Sequence, residues 1–181
     1  LNQLKLAGEL HIPFTTGLLL GIGETWADID ESLTAIAACH QQYGHIQEVI
    51  LQPHSPGQRQ KELPPAYPAM QLVQVIHRAR QLLPGEITIQ IPPNLIAQRQ
   101  DLLACLEAGA RDLGGIVAID EVNPDYHHQH ISDLQRFLAR QGYDLKPRLP
   151  VYPQFVNDLS PHLQQAVQRH GEKATPAGDR P

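Results

Sequence analysis

A glycine-rich turn is the part of the sequence best suited to binding a small molecule. Residues 21–25 read Gly-Ile-Gly-Glu-Thr and follow an almost wholly apolar run over residues 14–20. Glycine adopts backbone angles closed to other residues and lets a ligand approach the main chain. The spacing is not that of a nucleotide P-loop or of G-x-G-x-x-G, since Trp26 stands where the third glycine belongs. The sequence predicts a ligand loop between a strand and a helix, with a tight turn that binds nothing as the alternative.

Residues that ligate metals are few, and their spacing favours structural roles. Cys39 and Cys105 are the two cysteines, and both fall in predicted helices. We interpret them as small buried residues, because cysteine is often buried for packing alone. His127, His128 and His130 resemble a metal-binding tract, but no carboxylate-plus-histidine spacing on a regular element supports it. The sequence therefore predicts no metal site and no disulfide scaffold.

Composition limits the class of protein. The chain has 181 residues, is 41% hydrophobic and carries a net charge of −5. This negative charge argues against a nucleic-acid partner, because the phosphate backbone would repel it. No apolar run approaches the roughly 18 residues of a membrane span, and the first ten residues lack a signal-peptide cleavage pattern. We expect a cytoplasmic protein. Because residue 1 is leucine, we also expect a processed, excerpted or unusually started chain.

Apolar periodicity places the glycine turn within a repeating order of strands and helices. After a first helix within residues 1–10, strands are predicted over 13–20, 46–51, 86–91 and 113–119, and helices over 26–42, 69–83, 99–108 and 131–141. Alternating strands and helices indicate an α/β protein with a parallel sheet. A complete (β/α)8 barrel needs about 250 residues, so four units suggest half of one over residues 1–156. A further helix over 157–170 and a disordered tail over 171–181 are predicted to follow.

Several separate blocks resemble radical S-adenosylmethionine enzymes, most closely the small subunits of FO synthases. They lie in the family's order at residues 12–17, 21–25, 43–52, 89–95, 114–115, 122–124 and 148–153. The resemblance implies the C-terminal half of a (β/α)8 barrel. It also implies an enzyme that converts a tyrosine-derived adduct of 5-amino-6-ribitylamino-uracil into the deazaflavin of coenzyme F420 and releases ammonia. A second subunit of the FO synthase makes the adduct.

The resemblance implies two cofactors, S-adenosylmethionine and a [4Fe–4S] cluster. The family holds the cluster with a Cys-x-x-x-Cys-x-x-Cys loop after the first barrel strand, and this sequence does not contain that loop. We expect the cluster ligands to lie in a missing N-terminal half-barrel, and the chain to pair with that half or with itself.

The resemblance also assigns binding residues, although it assigns no catalytic residue. Gly17, Leu19, Gly21 and Glu24 match the family's G-x-I-x-G-x-x-E pattern around the adenosyl group. The full cofactor-binding set is Gly17, Leu19, Gly21, Gly23, Glu24, Val49, Leu51 and Gln52, and the substrate-binding set is Gln90, Asn94, Gly114, Gly115 and Asn123. The alternative for Glu24 is a favourable charge in the first turn of a helix. For Gln90 and Asn94, the alternative is stabilisation of the Pro92–Pro93 turn.

Three departures from the family lie at the expected barrel mouth. Pro53 and His54 replace an Asn-Phe pair, Leu113 replaces a tryptophan, and residues 117–118 replace a Ser-Pro region. They indicate a different substrate or a degenerate copy. A second hypothesis is therefore a non-catalytic half-barrel that serves as a binding or assembly module, since exposed sheet edges promote association. A third is an aldolase-like barrel, which the absence of lysine at a predicted strand end disfavours.

Overall fold

The computed structural model describes residues 1–56, 65–116 and 131–174, in which strands and helices alternate as predicted. The strands are β1 (Phe14–Leu20), β2 (Ile46–Pro53), β3 (Thr88–Ile91) and β4 (Asp112–Leu113). The α-helices are α1 (Asn2–Glu9), α2 (Trp26–Tyr43), α3 (Ala69–Leu82), α4 (Arg99–Glu107), α5 (Ile131–Arg140) and α6 (Pro161–Ala174). Short 3-10 helices cover Pro93–Leu95 and Pro153–Asp158.

The strands form one parallel sheet in the order β1-β2-β3-β4. Gly17 pairs with Ile50, Ile50 with Gln90, and Gln90 with Asp112, so these four residues form one row across the sheet. Because paired residues of a sheet point to the same face, the row also fixes which side chains share a face. The α/β class with a parallel sheet is confirmed. Half of a (β/α)8 barrel is compatible with this sheet and stays a prediction.

Helix α2 begins and ends where its sequence signals predict. The Thr25 hydroxyl accepts a hydrogen bond from the Asp28 backbone N–H, and the Asp28 carboxylate accepts one from the Thr25 N–H at 2.7 Å. This reciprocal capping box satisfies two N–H groups that the first turn leaves free. At the other end, Gly44 lies in the left-handed region with φ 66°, which glycine adopts without steric cost.

The hydrophobic core lies between the sheet and the helices, where α2, α3 and α4 each contribute an apolar stripe. Fully buried side chains come from alternate positions of the strands, such as Val49, Leu51, Ile89 and Ile91. Burial of aliphatic side chains contributes roughly 1.5–3 kcal/mol each relative to leaving them exposed. Within the described part of the chain, no helix combines the length and the apolar content needed to cross a membrane.

Strand β4 is shorter than predicted. The prediction of a strand over residues 113–119 is wrong for residues 114–116, which lie outside any strand, and residues 117–119 lie outside the described residues. Gly114 still donates its N–H to the Ile91 carbonyl at 3.1 Å, but Gly115 turns into the left-handed region with φ 69° and the ladder ends. At the C-terminus, α6 runs to Ala174, past the predicted start of the tail at residue 171. Residues 175–181 of that tail lie outside the described residues.

A buried histidine beside the core makes stability depend on pH. The His45 ring is 3% exposed, packs edge-on to Tyr43 with ring centroids 5.9 Å apart, and has its pKa lowered by burial. Because the unfolded chain binds this proton more readily, the free energy of unfolding should fall as the pH drops below about 6.5. Urea titrations between pH 7 and pH 5.5 measure the slope.

The control for this prediction is a histidine whose side chain is exposed to solvent. Replacing exposed His162 with glutamine should leave the pH slope unchanged, whereas His45→Phe should flatten it. Equal slopes in the native chain and His45→Phe would contradict the prediction.

Candidate ligand-binding face

One face of the sheet packs on the helices, and the opposite face, here called the open face, carries part of the predicted site. Side chains alternate between the two faces along a strand. Because Val49 and Ile89 belong to the core, the neighbouring residues Glu48 and Gln90 point to the open face. In the same way, the buried Leu20 places Leu19 and Gly17 on the open face of β1.

The predicted cofactor-binding residues divide between the two faces. Gly17 and Leu19 lie on the open face, where Leu19 is 46% exposed, and Gln52 is exposed near the end of β2. The side chains of Val49 and Leu51 are fully buried in the core beneath the helices. Their assignment to the cofactor-binding set stays a prediction, and because the side chains are buried, main-chain atoms would have to make the contact.

Glu24 organises the glycine turn through hydrogen bonds to its backbone. Its carboxylate accepts from the Gly21 N–H at 2.6 Å and from the Ile22 N–H at 2.9 Å. Burial alone would raise the pKa of Glu24, but these backbone hydrogen bonds outweigh it and lower the pKa. Gly21 and Gly23 have φ values of 92° and 114°, which bulky residues avoid. Glu24 therefore shapes the turn, a role that neither sequence interpretation proposed.

A groove runs along β1 beside this turn. It has a volume of about 530 Å³, and its lining includes Gly17, Leu19, Ile22, Glu24 and Ile29. Ligand pockets of proteins usually fall between about 300 and 1,000 Å³ and combine apolar walls with a few polar groups. The groove lies between β1 and residues of α1 and α2, and its size is that of a small-molecule pocket. Three of the predicted cofactor residues, Gly17, Leu19 and Glu24, line it.

The predicted substrate residues lie around the ends of β3 and β4. Gln90 donates from Nε2 to the Glu48 carboxylate at 2.7 Å. The Asn94 amide oxygen is buried and accepts no hydrogen bond from the described residues. Gly115 lies beside it, since a Cβ at Gly115 would be 3.6 Å from that oxygen. Asn123 lies outside the described residues.

Four ionisable residues form a cluster on the open face that the sequence analysis missed. We call Glu48, Asp112, Arg148 and Tyr152 the Glu48 network. Arg148 pairs with Glu48 at 2.6 Å and also with Asp112, while the Tyr152 hydroxyl lies 2.8 Å from Glu48 and 2.6 Å from Asp112. The Arg148 guanidinium also stacks on the Tyr152 ring, 4.2 Å from its centroid. Glu48, the one charged residue of strand β2, was the available signal.

Gln47 fastens the segment that carries Arg148 and Tyr152 to the sheet. Its amide nitrogen donates to the Pro150 carbonyl at 3.1 Å, and its amide oxygen accepts from the Tyr152 N–H at 3.1 Å. Burial, followed by the hydrogen bonds to Asp112 and Glu48, raises the pKa of Tyr152 far above its usual range. The Tyr152 hydroxyl therefore keeps its proton and acts as a hydrogen-bond donor in this network.

The cysteines of the chain do not fit an iron–sulfur cluster. Cys39 and Cys105 are both buried and lie in different helices. Among the described residues, no three His, Cys, Asp or Glu side chains come together as a metal site would require. A [4Fe–4S] cluster needs thiolate ligands, and burial raises the pKa of Cys105 to about 12 and also raises that of Cys39.

Both thiols should consequently resist alkylation in the folded chain. A buried thiol is protonated and shielded, whereas the thiolate is the reacting species. We expect iodoacetamide at pH 8 to modify neither Cys39 nor Cys105 before unfolding and both in guanidinium, as mass spectrometry of the peptides would show. Rapid modification of the native chain, or stoichiometric iron retained by it, would contradict this assignment.

The geometry defines a class: a parallel α/β chain with a glycine turn, a groove at its first strand and polar groups on the open face of its sheet. No protein-family model matches the chain. The chain is 65% identical over 167 residues to the 7,8-didemethyl-8-hydroxy-5-deazariboflavin synthase of Synechocystis, which covers 92% of this chain and 53% of the relative. The synthase of Trichormus variabilis is 62% identical over 172 residues, covering 95% of this chain and 51% of the relative. That of Thermosynechococcus vestitus is 61% identical over 167 residues, or 92% of this chain and 53% of the relative.

These relatives bear the name that the sequence resemblance led us to expect. The chain spans about half the length of the relatives that it matches. The similarity therefore covers most of this chain but only about half of each relative. The activity of the full-length relatives is accordingly a proposal for this chain.

Proposed function

We propose that the chain is part of a radical S-adenosylmethionine lyase that forms the deazaflavin FO, 7,8-didemethyl-8-hydroxy-5-deazariboflavin, in the cytoplasm. The observation that carries the proposal is the 65% identity over 167 residues to a synthase of that name. The groove at β1 and the polar open face support the proposal, because they offer places for a cofactor and a polar substrate. The substrate would be the tyrosine-derived adduct of 5-amino-6-ribitylamino-uracil, supplied by a second FO synthase subunit.

Within that enzyme, the groove along β1 would take the adenosyl group of S-adenosylmethionine. Gly17 is exposed, and Leu19 and Ile22 offer exposed apolar contact. Glu24 holds the turn by accepting hydrogen bonds from the Gly21 and Ile22 N–H groups. Gln52 lies at the same end of the sheet and would hydrogen-bond the ribose or the amino-acid part. When bound, S-adenosylmethionine supplies the radical that starts the reaction.

Gln90, Asn94, Gly114 and Gly115 would contact the substrate. A cavity of about 340 Å³ on this side of the sheet is lined in part by Gln90, Asp112, Gly114 and Arg148. Asn94 does not line this cavity, but its buried amide oxygen, beside Gly115, accepts no hydrogen bond from the described residues. Because a buried acceptor without a donor costs about 1–3 kcal/mol, this oxygen supports a ligand or water near Gly115. Asn123 remains a proposed contact outside the described residues.

The cysteines of this chain do not suit the cluster, so we propose that a segment outside this sequence holds it. The activity test compares this chain alone with the reading frame that contains it together with any upstream sequence. Each would be reconstituted with iron and sulfide under anaerobic conditions and assayed for 5′-deoxyadenosine release. With the second subunit and tyrosine added, the longer product should form fluorescent FO and this chain alone should not. A longer product that binds four irons and releases no deoxyadenosine would overturn the proposal.

A second candidate is a binding or assembly module without catalysis. Within the described sheet β1 is an edge strand, and exposed apolar side chains surround it. They are Leu6, Leu10, Ile12, Leu19, Ile22 and Trp26. Unpaired strand edges and apolar patches promote association, so the isolated chain should dimerise, aggregate or dock on the missing half-barrel. A monodisperse monomer in analytical ultracentrifugation would contradict this candidate.

A further inference from the structure

The orientation of the Gln90 amide is fixed by its neighbour on β2. Gln90 meets the Glu48 carboxylate at 2.7 Å. A carboxylate accepts hydrogen bonds and donates none, so the group of Gln90 that faces it is the NH₂. The Gln90 amide oxygen, Oε1, must then point the other way, toward β4.

Among the described residues, the other partners of Glu48 also supply protons. Arg148 Nη2 donates at 2.6 Å to the oxygen that Gln90 contacts, and Thr15 donates at 3.2 Å to the second oxygen. The Tyr152 hydroxyl lies 2.8 Å from the first oxygen and shares its single proton between Glu48 and Asp112. The Glu48 side chain is only 4% exposed, so water does not compete for these positions. Charge-assisted hydrogen bonds of this kind are roughly twice as strong as neutral ones. Glu48 is therefore held in one position, and its hydrogen bond from Gln90 Nε2 fixes the orientation of the Gln90 amide.

Gly114 makes room for the resulting position of the amide oxygen. A Cβ at Gly114 would lie 1.9 Å from Gln90 Oε1, so any residue other than glycine at position 114 would collide with this oxygen. Gln90 and Gly114 both line the cavity of about 340 Å³ on the open face. No hydrogen bond from residues 1–56, 65–116 or 131–174 reaches Oε1, so within these ranges the acceptor is open to a donor in the cavity.

We infer that Glu48, Arg148 and Tyr152 are positioning residues that present Gln90 Oε1 as a hydrogen-bond acceptor, so the ligand offers an N–H or O–H at this point. The choice of ligand rests on the proposed function. The aminopyrimidine with its ribityl chain carries several such donors, whereas a group with only carbonyl oxygens at this point would be rejected. Rejection follows because two acceptors that face each other across the cavity leave both without a donor once a ligand has displaced the water.

A double-mutant cycle tests whether Glu48 acts through Gln90. The probe is 5-amino-6-ribitylamino-uracil, and calorimetry measures its binding to the 181-residue chain. Gln90→Met should weaken binding about 10-fold, the equivalent of one hydrogen bond. Glu48→Met should weaken it similarly in the native background and cause no further loss in the Gln90→Met background. Non-additive losses of this kind indicate that two residues act as a unit.

A conservative variant separates positioning from charge. In Glu48→Gln, an amide oxygen still accepts from Gln90, so binding should stay within about 3-fold of the native chain. Gly114→Ala forces Gln90 Oε1 to move and should weaken binding about 10-fold only while Gln90 is present. This variant leaves the Glu48 network intact and serves if Glu48→Met does not fold.

Three results would overturn the inference: no binding of the probe to the native chain, additive losses in the cycle, or a loss in Glu48→Gln equal to that in Glu48→Met. The proposed function fails on a different measurement. If binding follows the cycle and the reconstituted longer product forms no FO, the proposed function is wrong and the positioning of Gln90 stands.

Discussion

Replacing Arg148 with methionine is expected to lower the free energy of unfolding by about 3–5 kcal/mol, because it leaves the buried Glu48 carboxylate and the partly buried Asp112 carboxylate without their cation. The side chains of Glu48 and Asp112 are 4% and 15% exposed, and Arg148 pairs with both. Methionine keeps much of the apolar stem, so most of the loss comes from the charge rather than from packing. Urea denaturation followed by circular dichroism measures the change.

The control for Arg148 is an arginine that pairs with a carboxylate in similar geometry at a more solvent-exposed position. Arg78 contacts Asp30 through two hydrogen bonds of 2.8 Å, and their side chains are 41% and 39% exposed. Exposed pairs contribute little, so Arg78→Met should change stability far less than Arg148→Met. Similar losses in the two variants would show that the Glu48 network is solvated and does not fasten the C-terminal segment to the sheet.

Local signals in the sequence were sufficient to predict the elements of the fold. Thr25 and Asp28 mark the start of α2 and Gly44 marks its end because each acts on backbone groups within a few residues. The apolar run of β1 and the stripes of the helices then indicate one buried face each. The end of β4 was not predictable in this way, because the left-handed turn at Gly115 depends on the conformation that the chain adopts there and not on residue type alone.

The site was harder to predict because it depends on contacts between distant parts of the chain. Glu48 and Arg148 are separated by 100 positions, and only the parallel sheet with its returning C-terminal segment brings them together. The family resemblance assigned Val49 and Leu51 to the cofactor-binding set, and the apolar run over residues 49–51 gives no alternation from which to read the faces of the strand. The resemblance also named Gly17 and Gln90, which lie on the open face, but it carried no information about what holds Gln90.

Replacing Gly17 with alanine is expected to lower the free energy of unfolding by about 1–3 kcal/mol, the usual range for forcing an extra carbon into a packed site. A Cβ at Gly17 would lie 2.3 Å from the Ile50 carbonyl oxygen of the paired strand. This neighbour is backbone and cannot rotate away as a side chain would, so β1 and β2 must separate locally. Urea denaturation measures the loss, and Gly85→Ala is the control because a Cβ there meets nothing within 4 Å.

This result would separate two reasons for a glycine at position 17. If glycine is needed only to admit a ligand, Gly17→Ala would unfold at the same urea concentration as Gly85→Ala and lose only S-adenosylmethionine binding. The contact with Ile50 instead requires a stability loss in the chain without ligand, because the clash lies within the strand pair. Since β1 also forms the wall of the groove, its displacement should weaken ligand binding as a consequence. A variant as stable as the control would therefore refute the structural reason and leave ligand approach as the explanation.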